Sequence, residues 1–211
     1  MHLDHLTFAA GPEGLLDAAE KLESRLGGRF RDGGFHPRFG TRNRILPLAD
    51  DRFLEVVEVL EHPAAEKAPF GQAVRARSEE GGGWMGWVIS VDDLTPFEHR
   101  LQRKSVEGSR QFPDGRWLNW HQIGIKGLIA DPQLPYFVKW ESEPDVLPSA
   151  LHGEIRLVEI VIVGSRDRVE NWLGTDVGEL FDGVKLNFTS LNGHPGIAAA
   201  IFETPSGLVR V

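Results

Sequence analysis

The sequence predicts an α+β protein of three repeated strand-helix-meander units, the first two paired around a cavity and a third unit at the C-terminus. Three observations predict it. The order strand, helix, antiparallel meander occurs three times, with the first strands of the copies beginning about 70 to 80 residues apart. Gly, Pro, Asp and Asn punctuate each copy where a meander must turn. At 211 residues and 41% hydrophobic composition, the chain is long enough to bury a core and apolar enough to fill it.

The first copy opens with a strand over residues 2–9. A helix follows, with Leu15, Leu16, Ala19, Leu22 and Leu26 at helical spacing and Gly27 and Gly28 stopping the run. After a Gly- and Arg-rich stretch over 33–44 come strands at 44–48 and 53–60, separated by a turn at 49–52. The second copy begins with a strand at 87–91. Thr95, Pro96 and Glu98 read as a capping box with proline at the first helical position, opening a helix that carries Phe97 and Leu101. Extended segments at 116–121, 127–130 and 135–140 complete it. The third copy has a strand at 157–163 and a helix capped by Ser165 with Val169, Trp172 and Leu173. Segments at 185–188 and 198–202 follow, and a last strand at 208–211 comes after the turn at 204–207.

One such unit carries a helix on one sheet face only, so its other face needs a partner sheet. Pairing two units closes a shallow barrel whose cavity is lined by alternate, inward-facing residues. The division is therefore a paired domain over 1–142 and a third unit over 150–211, with linkers at 62–83 and 142–153. A third unit must cover another surface or meet its own copy in a homodimer.

Composition narrows the function. The 23 Lys and Arg against 31 Asp and Glu leave a formal charge of −8, which argues against nucleic-acid binding. No apolar run approaches the about 18 residues of a membrane span. The N-terminal residues lack the basic and apolar regions of a signal peptide, so a cytoplasmic location is expected. With no cysteine, disulfides, thiolate metal sites and cysteine nucleophiles are excluded. There is no phosphate loop, dinucleotide glycine motif, serine elbow or His-Glu-x-x-His, so no nucleotide cofactor is expected.

The most specific motif is the run Gly33, Gly34, His36, Pro37, Gly40, Thr41, Asn43. Around it stand the opening Leu3, Asp4, His5, Leu6 and the carboxylate strand Phe53, Leu54, Glu55, Val56. Pro113, Asp114 and Gly115 with Trp120, and the segment 134–140, look like the matching half. Together these resemble the glyoxalase-like, vicinal-oxygen-chelate family over residues 1–142. The resemblance implies paired βαβββ units sharing one cavity, in which metal-dependent members hold a divalent ion. His5 and Glu55 match the ligand positions of the first unit, and both types suit a divalent ion. The second unit offers Gly86 or Trp87 and Val138 or Lys139 instead. In the third, Glu159 aligns with His5 and Arg210 with Glu55.

Each site residue has a second reading. His5 is either a ligand or a half-buried histidine hydrogen-bonded to its neighbours. Glu55 on an apolar strand requires a cationic partner, which could be a metal, charged His5, Lys139 or an arginine. His36, Thr41 and Asn43 either build a tight hairpin or reach into the cavity. Arg38 belongs to a cluster with Arg29, Arg31, Arg42 and Arg44, which is a solvated face or a cavity mouth for an anionic substrate. Trp120 and His121 point to opposite sides of one strand, so only one of them lines a pocket.

The expected function is therefore metal-assisted lyase, isomerase or dioxygenase chemistry on a small oxygen-rich molecule. In it Glu55, His36 or His121 moves a proton, and His36, Arg38, Thr41, Asn43, Trp120, His121 and Lys139 bind substrate. The alternative is a protein of the same fold that sequesters a small ligand without turnover.

Overall fold

A computed structural model describes residues 1–112, 114–189 and 194–211; Pro113 of the second-half motif lies outside them. The first unit comprises β1 (His2–Ala9), α1 (Leu15–Leu26), β2 (Arg31–His36), β3 (Thr41–Pro47) and β4 (Phe53–Val59). Leu15, Ala18, Ala19, Leu22 and Leu26 bury one stripe of α1, and Gly27 ends it in the left-handed conformation. Burying a leucine fully contributes about 1.5–3 kcal/mol, so this stripe fixes the helix to the outer face of the sheet over β4 and β3.

The segment expected to be a linker is instead two helices, α2 (Pro63–Lys67) and α3 (Pro69–Glu79). Each opens on a proline at its first turn, and α3 buries Phe70, Ala73 and Val74. The helical spacing of these three residues was the missed signal.

The second unit comprises β5 (Gly83–Ser90), α4 (Thr95–Leu101), β6 (Val106–Gln111), β7 (Trp117–Ile123), α5 (Gly127–Ala130) and β8 (Tyr136–Trp140). Two expectations are corrected here. Residues 127–130 form one helical turn, and the additional strand is β6. Thr95 does not cap α4: its amide donates to Asp93 Oδ1 at 2.9 Å, while Glu98 turns away to accept from the Ser105 amide at 2.8 Å.

The eight strands form one sheet in the order β2-β3-β4-β1-β5-β8-β7-β6. β1 runs parallel to β4 and antiparallel to β5, which joins the two units. The sheet curls until its edges meet. Arg110 of β6 donates to the carbonyl of Gly33 in β2, and Arg38 pairs with Glu107 at 3.0 Å.

The third unit, with β9 (Arg156–Val163), α6 (Arg166–Leu173), β10 (Leu180–Phe181), β11 (Val184–Thr189), β12 (Gly196–Thr204) and β13 (Gly207–Arg210), forms a sheet ordered β10-β11-β9-β12-β13. Ser165 caps α6 as expected. The strand parallel to β9 is β11, as β4 is to β1. Arg210 therefore does not correspond to Glu55, because β13 closes a hairpin on β12; Asn187 of β11 occupies that region and donates to Glu159 at 2.8 Å. Ile160, Ile162 and Phe202 share one core with Leu3, Leu6, Trp87 and Phe137. Buried Arg52 ties the units further, donating to the Leu3 carbonyl at 3.0 Å and pairing with Asp182 at 3.1 Å. Among the described residues, no helix is long and apolar enough to cross a membrane.

Candidate active site

Strand alternation decides what faces the inside of the curl. On β1, Leu6 points to the outer core while His5 and Thr7 point inward. The same rule turns Asn43, Glu55, Arg110, Trp120 and Tyr136 into one cavity, with His36 and the aromatic rings of Phe39 and Phe70 closing it. The space open to the centres of water molecules is about 50 Å³, room for a few waters at roughly 10–15 Å³ each.

Asp4 should face away from His5, but β1 shifts register against β5 between Leu3 and His5. Such a bulge re-aims consecutive side chains. Asp4 Oδ1 lies 2.6 Å from His5 Nδ1, and Asp4 Oδ2 accepts from Trp140 Nε1 at 2.9 Å. A carboxylate can only accept, so Nδ1 carries the proton and Nε2 presents its lone pair to the cavity. The ring is held flat against Phe53, its cross-strand partner, at 4.2 Å. Nε2 is 3.9 Å from Glu55 Oε2 and 3.5 Å from the Tyr136 hydroxyl.

Glu55 is buried, and Asn43 Nδ2 donates to Oε1 at 2.7 Å and Thr7 Oγ1 to Oε2 at 3.1 Å. Both Glu55 oxygens are therefore already engaged as acceptors. Burial, and next the charge of Glu55, hold the Tyr136 phenol well above its ordinary value, so it stays a neutral donor. Burial pulls His36 down to about 4, a shift that the Glu55 charge resists and the Arg110 charge reinforces. Its Nδ1 pairs with Thr41 Oγ1 at 3.1 Å. Arg110 is buried, stacks over Phe112 at 4.4 Å and has an unpartnered Nε. Of the cations expected near Glu55, it is this arginine that occupies the cavity.

His5, His36, Asn43, Glu55 and Trp120 thus line the cavity, and Thr41 stands buried behind His36. Three expected binding residues lie elsewhere. Tyr136, Val138 and Trp140 take the inward positions of β8, so Lys139 faces outward and pairs with Glu141 at 2.9 Å. His121 faces outward beside the same carboxylate, because Trp120 and Gln122 take the inward positions of β7. Arg38 is on the surface with Arg29 and Arg31, Arg42 pairs with Glu58 at 2.6 Å, and half-buried Arg44 donates to the Phe30 carbonyl at 3.0 Å. Asp4, Arg110 and Tyr136 were missed. The sole tyrosine in an inward register was readable; Arg110 became visible only once the sheet curled.

The donors lining the cavity are too few for a divalent ion. His5 Nε2 and Glu55 Oε2 converge, but no cluster of three His, Asp or Glu side chains exists among the described residues. Tyr136 is held neutral, and both Glu55 oxygens already accept hydrogen bonds. A catalytic zinc site takes about three protein ligands, so the set does not fit a resident ion.

A family model described as a glyoxalase-like domain matches residues 3–177. A hypothetical protein from Staphylococcus aureus has a TM-score of 0.74 at 13% identity, covering 99% of this chain and 98% of its own. Methylmalonyl-CoA epimerase from Mycobacterium tuberculosis aligns with a TM-score of 0.43 at 18% identity, over 69% of this chain and 90% of its own. A mutant 4-hydroxymandelate synthase from Streptomyces coelicolor gives 0.41 at 13%, over 71% of this chain and 52% of its own. No curated protein matches the sequence.

Proposed function

The chain belongs to the glyoxalase-like domain family, and we propose that its cavity isomerises a small oxygen-rich carbonyl compound by proton transfer. The observation that carries this is the convergence of His5 Nε2, Glu55 Oε2 and the Tyr136 hydroxyl in one cavity, all three side chains buried.

His5 is the base. Asp4 fixes its tautomer, and its Nε2 takes the proton from the carbon beside the carbonyl. The imidazolium so formed lies between Asp4 and Glu55, both anionic, which offsets its burial. The electron pair moves onto the carbonyl oxygen, where Tyr136 donates a hydrogen bond and Arg110 supplies charge. The Nε2 proton, which can exchange with solvent at this stage, then passes to the former carbonyl carbon while the proton of the adjacent hydroxyl moves to the former carbonyl oxygen, so an isomer forms and no net charge or proton is gained. Neutral His36, with Asn43 and Trp120, orients the remaining oxygens.

The test is deuterium exchange followed by NMR in D2O with glyceraldehyde, dihydroxyacetone and small 2-keto acids. Exchange beside the carbonyl, abolished by His5→Gln, supports the reading. Exchange no faster than the His5→Gln background across the panel removes it.

A second reading is favoured by the hydrogen bonds that already satisfy Asp4 and Glu55: the cavity holds a ligand without turning it over. A ligand bound stoichiometrically and recovered unchanged would mark that outcome.

A further inference from the structure

A second cleft of about 230 Å³ lies on the far side of Phe39, Phe70 and Gln122, three residues that also line the buried cavity. The rings of Phe39 and Phe70 stand 5.8 Å apart and form the partition. The cleft wall is apolar, with Val106 55% exposed and Ile125 beneath it. Its rim is cationic: Arg103, Lys104 and Lys126 all border it. Lys104 is paired with Glu98 at 2.9 Å. Arg103 donates its Nε to the Leu101 carbonyl at 3.3 Å, and neither it nor Lys126 meets a carboxylate among the described residues.

Two unpaired cations beside an exposed apolar wall are notable in a chain of net charge −8. Self-neutralisation is easy in so acidic a protein, and a cleft that keeps free positive charge attracts anions. An exposed valine in a concave wall is suited to an apolar spacer rather than to water. The shared aromatic partition makes the two spaces neighbours, so one molecule can occupy both once a ring rotates.

We propose that this cleft binds the tail of the molecule whose head enters the buried cavity: an apolar spacer ending in an anionic group at Arg103 and Lys126. The inference rests on the cavity being the substrate site, and it names the substrate class as amphipathic anions. Carboxylate and phosphate ends share the chemistry required, since guanidinium and ammonium groups accept either.

Calorimetry with octanoate, octyl phosphate and neutral octyl glucoside tests it on the full chain. The octyl anions are expected to bind about tenfold more tightly than the glucoside, and the preferred anion identifies the tail. The Arg103→Gln/Lys126→Gln variant is expected to lose about three- to tenfold in anion affinity and none for the glucoside. Arg29→Gln/Arg31→Gln removes the same charge far from the cleft and should bind as the parent does. Equal affinity for charged and neutral octyl probes overturns the proposal, as does an equal loss in both double variants. The measurement needs no turnover. Anion binding without proton exchange supports this proposal while removing the isomerase reading, and exchange with unselective binding does the reverse.

Discussion

His5 Nε2 and Glu55 Oε2 face each other across 3.9 Å, both side chains buried in one cavity. That is too long for a hydrogen bond and short enough for one proton to lie within reach of both. Two acceptors from adjacent parallel strands are thus held with a gap between them that a substrate hydrogen can fill.

Removing the base should cost about 10²–10⁴ in exchange rate, so His5→Gln is expected to reach background. Asp4→Asn keeps the shape but lets Nδ1 accept instead of donate, which moves the ring proton to Nε2. It should also lose most activity while its thermal stability changes little. Exchange rates by NMR alongside melting curves separate the two effects.

Acid should destabilise the fold through His36. Its folded value of about 4 lies below its ordinary 6.5, so between these values the unfolded chain binds the extra proton. The stability contributed by neutral His36 is complete above pH 6.5 and is lost as the pH falls toward 4, by up to about 3 kcal/mol. Urea unfolding at pH 7.5, 5.5 and 4.5 should show this slope, and His36→Asn should flatten it. An unchanged slope in the variant would assign acid sensitivity to other groups.

Divalent ions should bind weakly. At millimolar Zn²⁺, Mn²⁺ or Ni²⁺ the melting temperature should move by less than about 1 °C, since a site far from saturation stabilises little. A shift of several degrees that disappears in His5→Gln would restore a metal to the site.

Gly33 is a steric probe of the Glu55 carboxylate. A Cβ there would stand 1.9 Å from Asn43 Oδ1, so Gly33→Ala must push Asn43 off Glu55. The expected cost is about 1–3 kcal/mol, accompanied by a fall in kcat larger than any change in KM. A distant substitution of equal stability cost, such as one in the third unit, should leave kcat alone.

The halves of the fold were legible where local chemistry decides them. The stripe on α1, the strand parity of His5 and Glu55, and the Ser165 cap are all set by neighbours a few residues away. Legibility failed where distant chain decides. Lys139 was expected inward because its register could not be chosen from sequence alone; one residue of slip exchanges it for Val138. Arg110 enters the site only through the curl that brings β6 to β2. Asp4 enters through a bulge, and no pattern of period two anticipates one. The helices at 63–79 were hidden by their prolines and by a short, weakly amphipathic run.

The contact of Arg110 with the Gly33 carbonyl gives the cavity a joint owner. His5, Glu55 and Asn43 come from one unit and Arg110, Trp120 and Tyr136 from the other, and the enclosure exists only while the two outermost strands touch. Neither unit can keep a private, partly working copy of the pocket. Mutational drift in either unit is therefore felt at once by the other, and the two repeats, free to diverge in every other respect, remain bound to a common closing geometry.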